Sequence, residues 1–111
     1  MTPPSRVSAP RDTYDDIDAY EALRRIEDGA TVIDVREPSE YAQGHVPGAL
    51  LLPLGEVSAR AEEIPDGAVL VCATGNRSGR ACAWLAQQGK TGLANLAEGT
   101  QGWIQHGLSV E

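Results

Sequence analysis

Short apolar runs that alternate with helical stretches constrain this chain more than any other feature. Thr31 to Val35, Ala49 to Leu52, Ala68 to Val71 and Leu93 to Leu96 are each four or five residues long. Runs this short and continuously apolar suit strands buried on both faces, and the segments between them are long enough for helical crossovers. The pattern predicts an α/β fold on a parallel sheet. In such sheets ligands gather outside the carboxyl ends of the strands, where Cys72 and the charged cluster Asp34, Arg36 and Glu37 both fall.

The helical stretches carry their own punctuation. Asp18, with Glu21 three residues later, opens a helix that Gly29 closes, and Ala22, Leu23 and Ile26 form its inward stripe. Pro38 fits the first turn of a short helix through Tyr41 that Gly44 stops. A helix is expected from about Leu54 to Glu63, closed by Ile64 and Pro65. Another runs from about Ser78 to Gln88 before Gly89, and a short last one from Thr100 to His106.

At 111 residues the chain suits one domain with a real core. Nine basic against sixteen acidic residues give a net charge of -7, which disfavours generic nucleic-acid binding. No apolar run approaches the roughly 18 residues of a membrane-spanning helix. The opening MTPPSRVSAPR has three prolines and no secretory apolar core, so residues 1–14 read as a flexible leader, 15–111 as the domain, and the location as cytoplasmic by default. Cys72 and Cys82 are able to pair only if the fold brings them together; without an export signal two thiols are favoured.

VLVCATGNRSGRACAWLA, Val69 to Ala86, places a thiol where a buried strand ends and a helix begins. Free cysteine is often simply a small buried hydrophobe. The neighbours argue for more. Ala73, Thr74, Gly75, Asn76 and Ser78 are small or turn-forming, with Gly75 and Asn76 tolerating positive φ, so a tight loop is able to turn its N–H groups inward. The helix start behind it adds unpaired amides and the positive end of a dipole. Both favour a thiolate at Cys72, whose pKa would fall from about 8.5 toward roughly 3.5 to 7.5. Arg77 offers a cationic fork for an oxyanion, or is a solvated helix-start arginine, as Arg80 is expected to be; Ser78 is also a suitable helix cap.

These residues resemble a known family. IDVREPSEYAQGHVPGALLLPL (Ile33 to Leu54), VLVCATGNRS (Val69 to Ser78) and EGTQGWIQHGLSV (Glu98 to Val110) are similar, in order, to the signature segments of single-domain rhodaneses, the sulfurtransferase homology domain. The resemblance implies a central five-stranded parallel sheet flanked by helices, with a persulfide-forming cysteine at the base of an active-site loop. That role falls on Cys72, the cradling amides on Ala73, Thr74, Gly75, Asn76, Arg77 and Ser78, and the donor-holding arginine on Arg77. Cys72 to Arg77 is Cys-x4-Arg, the shorter loop of the sulfurtransferases; phosphatases of this fold have one residue more.

The implied reaction moves sulfur from a small anionic donor such as thiosulfate through Cys72 to a thiophilic acceptor, cyanide or a thiol, including a protein thiol. No cofactor or metal is implied, since the two histidines and two cysteines match no zinc spacing. Asp34 and Arg36 are expected either to brace the loop or to form a solvent pair worth roughly 0 to 1 kcal/mol. His45 and Cys82 are expected to pack rather than react. Gly99 is followed by Thr100 where the family commonly has a second glycine, which leaves that turn's geometry open. Two other readings compete: a sulfur-relay or binding module with little small-donor turnover, and a cysteine phosphatase or arsenate reductase, which the short loop disfavours.

Overall fold

The structure, a computed structural model, describes residues 13–111. The expected leader therefore lies outside the described residues except for Thr13 and Tyr14, and Tyr14 packs against the core. Strand β1 (Asp15–Ile17) leads to α1 (Ala19–Glu27), β2 (Val32–Asp34), α2 (Pro38–Ala42) and β3 (Leu50–Leu51). Two short 3-10 helices follow, then β4 (Val69–Val71), α3 (Asn76–Gln87), β5 (Ala94–Leu96) and α4 (Gly99–Gln105). The five strands pair in parallel in the order β1-β5-β4-β2-β3. The strand that delivers Cys72 is thus the central one.

Alternation along the strands divides the core between the two sheet faces. Leu70 and Cys72 on β4 and its exit face α3, clustering with Ile33, Ala81, Cys82, Leu85 and Leu93. Val69 and Val71 point the other way, among Ala19, Ala22, Leu96 and Trp103 from the α1 and α4 side. Leu70 and Leu85 are fully buried, and truncating either to alanine would cost about 2 to 5 kcal/mol.

Helix punctuation acts as the sequence implies. An Asp18 side-chain oxygen accepts the Glu21 N–H at 2.8 Å, and Gly29 leaves α1 at φ +101°. Glu37 and Glu40 form a reciprocal capping box at the start of α2, with Pro38 in its first turn.

One expected helix is not formed, and one strand was not expected. The helix expected over Leu54–Glu63 is instead two 3-10 turns, Leu54–Glu56 and Ala61–Glu63. Gly55, Val57 and Ser58 are poor helix formers, and so short a segment does not offset nucleation. The Arg60 backbone leaves helical geometry (φ -121°, ψ 24°), while its side chain ties Glu56 to Glu63. Strand β1 escaped the reading of apolar runs because Asp15 and Asp16 interrupt it; as an edge strand it pairs only with β5 and buries only Ile17.

Candidate active site

Cys72 follows β4 directly, and the chain holds its carbonyl before it holds its sulfur. The Thr100 N–H and hydroxyl donate to the Cys72 carbonyl at 2.8 and 3.2 Å, and the Gln101 N–H donates to the Ala73 carbonyl at 3.1 Å. With its first carbonyls bound to the start of α4, the loop presents N–H groups to the sulfur instead. Gly99 makes this approach possible: its φ is +66°, and a Cβ there would strike the Ala73 carbonyl and the Thr74 nitrogen. The turn in question thus keeps its essential glycine, and Thr100 contributes a hydroxyl where a second glycine has none.

Cys72 Sγ accepts the Gly75 N–H at 3.1 Å and lies 3.3 Å from the Ser78 hydroxyl oxygen. Gly75 takes φ +95°, closing so tightly on Ala97 that a Cβ would overlap its carbonyl. Asn76, also expected to tolerate positive φ, is instead the first residue of α3, two positions before the expected start. Gly75 caps that helix without a side-chain hydrogen bond, and Ser78, read as a suitable cap, turns inward to the sulfur. Burial pushes the Cys72 thiol up. The Ser78 hydroxyl, with the amides of Ser78, Thr74 and Gly75, outweighs it and holds the pKa below its ordinary value. Cys72 is fully buried.

Arg77 does not present an empty fork. Both terminal nitrogens bind Glu40, each at 2.8 Å, with roughly a third of either side chain exposed (31% and 34%). The guanidinium, with the Glu37 N–H, lowers the Glu40 pKa to about 2 despite some desolvation, and Glu40 pushes Arg77 upward in turn. Sequence reading missed Glu40, although it lies in the same DVREPSEY segment as Asp34 and Arg36. It missed Asn95 as well, a polar residue inside a strand run and only 4% exposed.

Asp34 and Arg36 form a buried bidentate pair, not a solvent pair, with Arg36 Nη2 2.8 Å from Asp34 Oδ2. The remaining Arg36 bond runs to the Gly44 carbonyl at 2.8 Å, so the pair braces the turn after α2 instead of the Cys72 loop. His45 stacks on Tyr41 with ring centroids 3.6 Å apart, and its Nδ1 lies 3.0 Å from the Tyr41 carbonyl. Cys82 is a buried free thiol beside the Ala94 carbonyl at 3.6 Å. Arg80 is exposed and borders clefts on both sides of α3. Trp103 is buried with its Nε1–H donated to the Ser109 carbonyl, while Trp84 stays partly exposed.

Comparison with known proteins gives the family. The chain is 40% identical over 99 residues to a sulfurtransferase of Allochromatium vinosum, covering 86% of this chain and 92% of that protein. It is 34% identical to a thiosulfate sulfurtransferase of Pseudomonas paraeruginosa over 83% of this chain and 86% of the relative. The crystal structure of a rhodanese-related protein from Thermoplasma volcanium superposes with a TM-score of 0.80 at 31% identity, covering 88% of this chain and 98% of that one. The family model for the rhodanese-like domain matches residues 18–106, which takes in the Cys72 loop, the Glu40 segment and the α4 clamp alike. This chain belongs to the rhodanese-like domain family.

Proposed function

We propose that this domain is a sulfurtransferase that accepts a sulfane sulfur from an anionic donor such as thiosulfate and carries it as a persulfide on Cys72. The observation that carries the reading is the sulfur's setting: Cys72 Sγ lies beneath its loop, within hydrogen-bonding distance of the Gly75 N–H and the Ser78 hydroxyl. These donors lower the cost of the thiolate, the form that attacks.

The Cys72 thiolate attacks the outer sulfur of thiosulfate. A bond forms between the two sulfurs as the donor's own S–S bond breaks, and its electron pair leaves with sulfite. The negative charge carried by the new terminal sulfur is favoured by the amides of Thr74, Gly75 and Ser78 beside Cys72. A thiolate or cyanide then attacks that terminal sulfur, and the electron pair of the enzyme's S–S bond returns to Cys72. Two half-reactions that share one enzyme form give ping-pong kinetics.

The Cys-x4-Arg spacing of Cys72 to Arg77 supports sulfur over phosphate as cargo. The Arg77 fork is bound to Glu40, and its charge remains near the sulfur. Intact-mass spectrometry tests the covalent half-reaction. Incubation with thiosulfate should add one sulfur atom, removable by a thiol, to the wild type and not to Cys72→Ser. A Cys72→Ser protein that gains the same labile sulfur would overturn the assignment.

A further inference from the structure

Behind the cysteine lies a buried polar chain that sulfur transfer does not by itself require. Ser78 Oγ is 3.3 Å from Cys72 Sγ and 2.5 Å from Asn95 Oδ1. A serine hydroxyl has one proton and so donates to only one of these at a time. The Asn95 amide is not free to turn: its Nδ2 donates to Asp16 Oδ1 at 2.9 Å and to the Gly75 carbonyl at 3.1 Å. Rotating it would set its oxygen against two acceptors. Asn95 therefore always presents an acceptor to Ser78.

We propose that Asn95 is a positioning residue that competes with Cys72 for the Ser78 proton, making the hydroxyl a two-position rotor that follows the state of the sulfur. In the resting thiol, Cys72 S–H donates to Ser78 Oγ while Ser78 donates to Asn95. Loss of the thiol proton swings the hydroxyl toward the sulfur and leaves Asn95 Oδ1 without its donor. In the persulfide the inner sulfur is a neutral, weak acceptor, and the hydroxyl returns to Asn95. Asn95 thus favours the thiol and the persulfide over the thiolate that links them. The inference rests on Cys72 as the nucleophile, but its test uses free enzyme and is read without sulfur transfer.

Other charged or titratable groups face this chain: Arg77, Arg80 and Cys82 on α3, Asp16 and Tyr14 by β1, and Asp34 beyond Arg77. A double-mutant cycle on Ser78 separates the hydroxyl's contribution from theirs.

The cycle titrates Cys72 thiolate absorbance in wild type, Asn95→Leu, Ser78→Ala and the double variant, each carrying Cys82→Ala so that one thiol is read. Asn95→Leu should lower the midpoint by roughly 0.5 to 1 pH unit where Ser78 is present, the value of one hydrogen bond released to the sulfur. In the Ser78→Ala background it should have no effect. An unchanged or raised midpoint, or an equal change in both backgrounds, overturns the proposal, the last because Asn95 would then act through Gly75. Should Asn95→Leu fail to fold, the Asn95 side-chain amide resonances decide. They should move with the Cys72 titration when Ser78 is present and stay still in Ser78→Ala; equal movement in both, or none in either, overturns it.

Discussion

Cys72 and Cys82 are ten positions apart, equally buried, and members of the same core cluster. Their chemistry nevertheless diverges. Cys72 meets N–H and O–H donors at the mouth of a helix, and its pKa falls even though burial opposes the charge. Cys82, nearly two turns into that helix, meets a carbonyl oxygen; burial pushes its thiol up to about 12, with Asp16 and Cys72 adding to the effect. Burial alone therefore does not decide whether a thiol is inert. The polarity of the atoms it is buried against does.

The sharpest break of this contrast is to remove each sulfur in turn. Cys72→Ser should lower thiosulfate:cyanide turnover by roughly three orders of magnitude or more. Cys82→Ala should leave turnover within about twofold and lower unfolding stability by about 1 kcal/mol. Equal losses of activity would put the two thiols on one footing.

Deforming the donor loop comes next in size. Gly75→Ala combines a left-handed backbone with overlap on the Ala97 carbonyl, so it should cost roughly 2 kcal/mol or more in urea unfolding and raise the Cys72 midpoint as the loop amides withdraw. A variant as stable as the wild type would show that the loop has room it does not use.

Ser78→Ala should act on the thiolate alone. Losing one donor raises the Cys72 pKa, so turnover below the wild-type midpoint should fall roughly three- to tenfold and recover as pH rises past the new midpoint. A loss that persists at alkaline pH would assign Ser78 to the substrate rather than to the thiolate.

The smallest effect should come from the ion pair beside the loop. The folded-state pKa of Glu40, about 2, lies below that of an unfolded glutamate. Its contribution is therefore fully present above about pH 4.3 and is lost as pH falls toward 2. With a third of each side chain in water, Glu40→Gln should cost at most about 1 kcal/mol at pH 7, and the difference between variant and wild type should shrink in acid. A gap that stays constant down to pH 2 would trace the loss to packing.

Much of this was legible in the chain because it is local. The cap at Asp18, the breaks at Gly29 and Gly44, and the run Ala68–Val71 ending at a thiol are short-range signals that tertiary structure had no reason to override. The resemblance likewise marked Cys72 and its loop. What escaped is long-range or contrary to type. Strand β1 owes its existence to β5, seventy-odd positions away, and its two aspartates hide it. Glu40 reaches Arg77 across 37 residues, and Asn95 reaches Asp16 across 79. Neither partner is implied by spacing, though a lone asparagine in an interior apolar run is itself a signal, since a buried amide demands hydrogen bonds.

The contacts of residues 97–101 carry a consequence for remodelling. Ala97 closes against Gly75, Gly99 against Ala73, and Thr100 and Gln101 hold the carbonyls of Cys72 and Ala73. The connection between the last strand and the last helix is therefore the mould in which the sulfur's cradle is cast. A longer loop is therefore not admitted by editing residues 73–78 alone. An inserted loop residue would need a matching change some 25 positions downstream, so the length of the loop is set in two stretches of the chain that must change together.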